Sequence, residues 1–461
     1  MNDPPRKDRS RPATARGWVW PLACLVGWGA LARAEPFGTP ERITDGSLKF
    51  RLSRTANGHL AWDLIGTLHV VYWAETRADF TNPTYPSFII YRSWRPESGW
   101  SAPAVVDDSF VAGQRVGGRH PALAVAPDDA VWVVWHDLRH STAARQWIDN
   151  AEIYADRRPL GGSFSQIDLR LTTSMADHAG DNGLAPKIAA AADGRLSVVW
   201  FDFHFDDGQA EVPDLFLKTT DADGVFDLSE SMAAMRLTNK TERDAGLPYT
   251  LPDIDATPDG TRHLVWTGGF GSGVDLFYGA VAAGEMSLTE TRLAVGATDF
   301  FDPPHIAAGP DGEVWIAWSD KTSGAGSPIR LRRRRGGEAD FDPPVTVAAG
   351  PGRRLAPDHA IAPDGGVHLV WIEDDLNNVD AVTVRYGRVE PESGVLAEAT
   401  SLTPERGAWR RPTIALDAEG SVYVLFEEDV NPFNVGDIWF VTNAAPPAIN
   451  RVPPVHWNAR R

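Results

Sequence analysis

The sequence predicts an all-β protein, a seven-bladed β-propeller with four-stranded blades and an N-terminal strand that closes the last blade. Three observations carry the prediction. An apolar strand ending in Trp or Phe recurs seven times, and turns of the type Pro-Asp-Gly precede several of its copies. The composition is that of short strands and tight turns, with 18 Trp, 42 Gly and 35 Pro beside 5 Met. With 43% hydrophobic and 23% charged residues over 461 positions, the chain can bury a core, which excludes wholesale disorder.

The first segment reads as an export signal. A basic stretch (Arg6, Lys7, Arg9, Arg11, Arg16) leads into an apolar run over residues 18–31, and Ala32-Arg33-Ala34 offers a small-x-small cleavage site before Glu35. That run is too short to cross a bilayer comfortably. Cys24 follows Pro21-Leu22-Ala23, a poor lipobox because Pro stands where Leu belongs. No twin Arg occurs in this segment, so Sec-type export is expected, with a signal peptide over residues 1–34 and a periplasmic or secreted mature protein. Cys24 is the only cysteine, so after cleavage disulfides, thiolate catalysis and Cys-based zinc sites are excluded.

The repeat fills residues 35–443. Its anchoring strands are residues 69–73, 131–135, 196–200, 263–266, 314–318, 367–371 and 422–426, and their last aromatics stand 62, 65, 66, 52, 53 and 55 residues apart. Helical repeats of about 33–47 residues are shorter, and no 3.6-residue period is present, so a blade of four strands is the natural unit. Strand A ends in a turn such as Pro258-Asp259-Gly260, Pro310-Asp311-Gly312, Pro363-Asp364-Gly365 or Ala192-Asp193-Gly194, where Gly accepts a positive φ. Strand B is the anchor. Strand C is an aromatic run, as in Glu152-Ile153-Tyr154 and Asp214-Leu215-Phe216, and strand D is short, as in Arg170-Leu171-Thr172 and Arg236-Leu237-Thr238.

The seventh copy lacks a strand D after Val441, and Arg42-Ile43-Thr44 matches the missing piece in type and order. Pairing it with the last blade would remove the open edges of the array. Residues 444–461 are Pro-rich and read as a surface tail.

Charge narrows the partners. The chain carries −18, and residues 35–461, with 38 bases and 60 acids, carry −22. Nucleic acid and an anionic membrane surface are therefore excluded as partners, and an unaided grip on a polyanionic sugar is disfavoured. A monomer is expected.

The run Val133-Val134-Trp135-His136-Asp137-Leu138-Arg139, followed by Asn150-Ala151-Glu152-Ile153-Tyr154, Gly161-Gly162 and Arg170-Leu171-Thr172, resembles the repeat of sialidase-like (BNR) β-propeller proteins secreted by bacteria. The resemblance spans residues 40–443 and implies the fold, together with a carbohydrate partner. It leaves the activity open, since such propellers include glycosidases, polysaccharide lyases and non-catalytic binders. The sialidase signature itself is missing. Residues 93–100 carry Glu97 and Gly99 at the wrong spacing for an Asp box, residues 220–224 are degenerate, and no Arg-Ile-Pro segment occurs. Carbohydrate recognition, as a glycoside hydrolase, a lyase or a binder, is the leading expectation. A non-catalytic protein-interaction scaffold is the alternative.

Long polar loops over residues 73–87, 136–150 and 201–213 share the face expected to carry function. Two residues after each anchor stand Glu75, Asp137, Asp202, Gly268, Asp320, Glu373 and Glu428, and an acid opens most copies of strand C. A residue repeated in nearly every blade serves the fold, by capping a hairpin or pairing with a base such as Arg139, unless it lines a carboxylate-rich mouth. Positions that break the repeat are more informative. The second residue of strand A gives His59, Ala122, Lys187, Asp253, His305, Asp358 and Thr413, with Arg119, His120, Asp302, His359, Arg410 and Arg411 approaching from the D-to-A segment. From these, Arg119, His120, Asp253 and His305, joined by Tyr249, one of two Tyr outside strands B and C on the expected functional face, are candidate catalytic residues, and Lys187, Asp358, Arg410 and Arg411 candidate substrate contacts. In the lyase reading, His and Tyr act as base and acid while Arg neutralises a uronate carboxylate. The acids Asp202, Asp206 and Asp207, with Asp181 from the preceding loop, are candidate Ca²⁺ ligands. His136 and His140, four apart on a loop, are a weaker metal pair.

Overall fold

The computed structural model describes residues 36–444, except residues 47, 53–57, 76–86, 109, 112–113, 116, 140–150, 166, 173–182, 203–212, 222, 229–233, 239–248, 269–271, 286, 300–301, 323–325, 375–381, 398, 404–406 and 432–434. The expected signal segment and almost all of the tail lie outside the described residues. Those described form strands and turns with no helix, and none offers a helix long and apolar enough to cross a membrane.

Five consecutive repeats each form a four-stranded antiparallel sheet of the kind that makes a propeller blade. The second repeat, for example, runs Gly118–Val125, Val131–Asp137, Glu152–Arg158 and Leu169–Arg170. The first and last repeats are joined into one ten-stranded sheet. Their link is a strand the sequence did not announce, Lys49–Arg51, which runs antiparallel to Leu68–Glu75 (Phe50 opposite Ala74) and parallel to Val435–Thr442 (Lys49 opposite Gly436). Glu41–Arg42 lies where the closing strand was expected, on the outer edge of the last repeat, with Glu41 opposite Phe440 and Arg42 opposite Trp439.

Strand periodicity explains why the anchors read as continuous apolar runs. In Val131–Asp137, Val131, Val133 and Trp135 pack into a core shared with the first repeat, while Trp132 and Val134 pack into one shared with the third. Alternate residues face opposite sides of the sheet, and both sides are covered. Six of the seven apolar clusters among the described residues draw on two consecutive repeats, and the seventh joins Leu68, Val70 and Tyr72 of the first to Tyr423, Leu425 and Phe440 of the last.

The strand-A turns behave as expected. Gly194, Gly260, Gly312 and Gly365 have φ between 77° and 89°, and in the second repeat Asp129 takes this place at φ 58°. The acids that open strand C pair with strand D. Glu152 binds Arg170 and Thr172, Asp214 binds Arg236 and Thr238, and Asp437 binds Arg42 at 3.2 Å and Thr44 at 2.5 Å. The Arg-x-Thr pattern is thus a clasp for the outer strand, and the closing segment uses the same one.

Candidate functional site

The innermost strands enter their sheets through a repeated distortion. His120, Ala185, Leu251, Ala356 and Arg411 sit at φ 47° to 51°, each directly before a proline, and each lies in a register shift against strand B. Pro removes a ladder donor and restricts its predecessor, so the strand bulges there instead of pairing on. Non-glycine residues in the left-handed region carry strain that persists where the surroundings enforce it, a pattern concentrated at functional sites. The sequence reading placed Arg119, His120, Arg410 and Arg411 in the approach to strand A. The structure places them inside it, with Arg119 opposite His136 and Arg410 opposite Glu427.

The innermost strands, bulged in five repeats and unbulged at His59 and His305, deliver the next candidates to the interior. His59, Lys187, Asp253, His305, Asp358 and Thr413 are all buried. Asp253 accepts the Ile306 amide at 2.9 Å and Asp358 the Ile414 amide at 3.0 Å, so each acid fastens the next innermost strand. His305 Nδ1 lies 3.5 Å from the Asp253 carboxylate, longer than a good hydrogen bond, and its Nε2 has no hydrogen-bond partner among the described residues. Burial pulls the Lys187 ammonium down to about 8 against the attraction of Asp253 and Asp358. Burial also raises Asp358. It pushes on Asp253 in the same sense, but His305, Lys187 and the Ile306 amide hold that carboxylate below its usual range. His59 is driven down to about 3 by burial and by Lys187, and its Nδ1 donates to the Val71 carbonyl at 2.9 Å. His359 meets the Trp315 carbonyl at 3.2 Å, and Asp302 takes the Ala356 amide and the Lys321 ammonium.

A second group lies where the first and second repeats meet. His120 is half-buried, with its ring centroid 5.5 Å from Trp73 and 5.1 Å from His136. The Arg119 guanidinium stands 5.7 Å from the Trp73 ring and Arg51 stands 6.0 Å from it. His136 is buried, and burial with nearby Arg119 pushes it down to about 3, so it is neutral at ordinary pH. The Ala185 amide donates to its Nδ1 across a long 3.5 Å, which leaves the proton on Nε2. In the last repeat, Arg411 is held by buried Glu427 at 2.6 Å, and Glu427 also takes the Leu52 amide. Arg410 donates to the Trp409 carbonyl at 3.0 Å. An aromatic face, two cations and two imidazoles in different environments thus lie together around Trp73 and His120.

The repeated acids serve the sheets. Asp137 takes the Trp135 indole N–H at 3.1 Å and the Arg139 guanidinium at 2.9 Å, Asp202 takes the Trp200 indole at 3.2 Å, and Asp320 takes Arg330 at 2.9 Å. Of the candidate calcium ligands, Asp202 is thereby engaged, while Asp181, Asp206 and Asp207 lie outside the described residues, as does His140. Among the described residues no group of three or more His, Asp or Glu side chains is arranged to hold a metal ion. Tyr249 opens an innermost strand opposite Gly268, and its side chain is not among those described.

His136 was underrated because it was read only as half of a metal pair. The position after each anchor holds Ala74, His136, Phe201, Thr267, Ser319, Ile372 and Glu427, so His136 and Glu427 break the repeat there as sharply as Lys187 does in strand A. Trp73 was hidden as a repeat anchor, and Arg51 lies on the unannounced strand.

No family model matches the chain, and no curated protein matches it. Solved structures share the fold. An ulvan lyase representing a new polysaccharide lyase family is 10% identical with a TM-score of 0.57, over 86% of this chain and 94% of its own. The polysaccharide lyase Uly1 is 9% identical with a TM-score of 0.52, over 88% and 99%. The endosialidase of phage phi92 is 10% identical with a TM-score of 0.51, over 88% and 68%. At these identities the likeness is one of architecture, and it agrees with a sialidase-like fold.

Proposed function

We propose that the chain closes as a seven-bladed propeller, is exported, and acts as a monomer on an acidic polysaccharide, cleaving it by β-elimination. The carrying observation is the His120–His136 pair beside Arg119 and Trp73, where the first and second repeats meet. Closure is supported by the clusters between successive repeats and by the pairing of Glu41–Arg42 with the last one. Elimination is favoured over hydrolysis because two of the solved structures with this fold are polysaccharide lyases.

The chemistry sets the roles. Removing a proton next to a uronate carboxylate piles negative charge onto that group, so a fixed cation must face it. Arg119, with Arg51 near it, supplies this charge locally in a chain that is acidic overall. His120 takes the C5 proton as general base. The C5–H electrons form the C4=C5 double bond, the C4–O bond breaks, and Tyr249 is assigned the proton delivered to the leaving oxygen, with no water consumed. His136, neutral with its proton on Nε2, donates a hydrogen bond without competing for the C5 proton. Arg410 contacts the polymer, while Lys187, Asp253, His305 and Asp358 form a buried polar floor that fixes the bulged strand ends and sets the charge beneath the sugar. Ca²⁺, where bound, would be held by Asp202 with Asp181, Asp206 and Asp207, and would supply positive charge that offsets the acidic residues toward an acidic polymer.

The test is a screen of uronate-containing polysaccharides with and without Ca²⁺, following the ultraviolet absorbance of the C4=C5 double bond together with reducing ends. Both should rise together and be lost in His120→Ala. Reducing ends without absorbance would select hydrolysis by paired carboxylates, and binding without release would select a lectin-like protein. Full activity in His120→Ala would overturn the assignment.

A further inference from the structure

We infer a second, non-catalytic site for an acidic saccharide on the opposite face of the sheets, where the turns of the first and second repeats meet. A cavity of about 400 Å³ lies there between residues 63–69, residues 93–101 and residues 158–161. Two guanidinium groups line it. Arg95 donates to the Thr67 hydroxyl at 2.9 Å, and Arg158 stands 5.4 Å from the Tyr91 ring. Among the described residues neither has a carboxylate within 4 Å, although most of the described arginines do.

The nearest acid is already engaged. Asp63 accepts the Thr67 amide at 2.6 Å, the Ile65 amide at 3.2 Å and His69 Nε2 at 3.0 Å. His69 is bonded to the Tyr91 hydroxyl at 2.6 Å, and burial with the two arginines lowers its pKa against the pull of Asp63. The cavity therefore holds two positive charges against one. Trp94 and Trp100 supply apolar lining, Leu160 a half-exposed rim, and the buried Trp100 indole N–H has no acceptor among the described residues. Apolar flat surfaces beside a cation pair suit a sugar ring bearing a carboxylate or a sulfate ester.

The imidazole–tyrosine pair alone does not single out this place. His263 with Tyr278 and His368 with Tyr386 repeat it, and Arg334 repeats Arg158 over Tyr278. What the first repeat adds is the cavity, Arg95 and the two tryptophans. This is also the turn that carries Glu97 and Gly99 in place of an Asp box.

The test uses the mature chain carrying His120→Ala, so that bound polymer is not cleaved. Calorimetry with an unsulfated uronate oligosaccharide, a sulfated neutral oligosaccharide, a plain neutral one and inorganic sulfate separates the sources of anion. At least one acidic oligosaccharide should bind, with affinity falling as salt rises. Arg95→Met and Arg158→Met should each weaken it about tenfold or more, matching loss of one charge-assisted contact. Leu160→Glu, a rim change that leaves the core untouched, should do the same by repulsion if either arginine variant fails to fold. Binding of the neutral oligosaccharide alone, of inorganic sulfate alone, or equal affinity in Leu160→Glu and the parent would overturn the inference. Elimination is followed separately in the chain that keeps His120: elimination present there with unchanged affinity in the cavity variants sinks this inference alone, and elimination absent there with affinity lost in the cavity variants sinks the elimination reading alone.

Discussion

Replacing Asp437 by Ala should release the segment that completes the last sheet. The carboxylate is buried and accepts from the Thr44 hydroxyl at 2.5 Å, the Gly46 amide at 3.0 Å and the Arg42 guanidinium at 3.2 Å. Hydrogen bonds to a charged group contribute roughly 1.5–3 kcal/mol each. The Arg42 side chain is 49% exposed, so that pair adds less than about 1 kcal/mol. Water regains part of what Thr44 and Gly46 lose, so the net cost should be about 3 kcal/mol. Asp437→Asn keeps the shape and one acceptor and should lose about half of that. Urea unfolding measures the cost, and hydrogen exchange at residues 41–46 reads the detachment. Glu152→Ala removes the same clasp within the second repeat and should leave exchange at residues 41–46 untouched. Wild-type exchange at residues 41–46 in Asp437→Ala, with an unchanged urea midpoint, would refute the reasoning.

His59 and His136 stay neutral in the folded protein down to about 3, whereas the unfolded chain protonates near 6.5. The unfolded state binds more protons between these values, so stability falls on acidification through that window, by about 1.4 kcal/mol per pH unit for each imidazole. His136→Gln should flatten the acid limb of a urea-midpoint titration, and an unchanged slope would contradict the assignment. Ala356, at φ 49°, should tolerate Gly with a change within about 1 kcal/mol, while Val should cost about 1–2 kcal/mol more; equal melting of the two variants would remove strain from the account. Ca²⁺ calorimetry on wild type and on Asp202→Ala with Asp206→Ala should show binding lost in the double variant, and identical isotherms would reject that loop as a calcium site. Deleting residues 35–46 should expose the sheet edge and yield aggregated protein, and a soluble monomer on size-exclusion chromatography would count against this.

Much of the fold was legible because strands buried on both faces must be continuously apolar and their turns need Pro, Asp and Gly, so residues 131–135 or 258–260 announce themselves. The Arg42-Ile43-Thr44 segment was legible because the clasp it forms with Asp437 is spelled out again in Arg170, Thr172 and Glu152. Lys49–Arg51 was not, because three residues set no period and their pairing depends on strands far along the chain. At the site, comparing one column of the repeat brought out Lys187, Asp253 and His305. Comparing the column after the anchor brings out His136. The bulge stayed hidden, although a proline follows His120, Ala185, Leu251, Ala356 and Arg411 alike, because a proline after an ordinary residue signals a break in pairing and not its direction. That a left-handed turn there would carry His120 toward Trp73 is a fact of packing.

The Lys49–Arg51 strand has a consequence for the order in which the molecule assembles. Its partners are Leu68–Glu75, made shortly after it, and Val435–Thr442, made almost four hundred residues later. During synthesis the early sheets can form from neighbours already present, but Lys49 and Glu41–Arg42 must wait for the last repeat. The closing contacts are the most distant in sequence, and distant contacts are slow to find. A chain stalled before residue 435 would present a half-dressed edge at one end and an arm without a seat at the other, a species open to proteases and to pairing with its own kind. The same joint, once made, ties the two ends of the chain together: neither the first nor the last repeat can peel away without undoing a contact between residues made at the beginning and at the end of the chain.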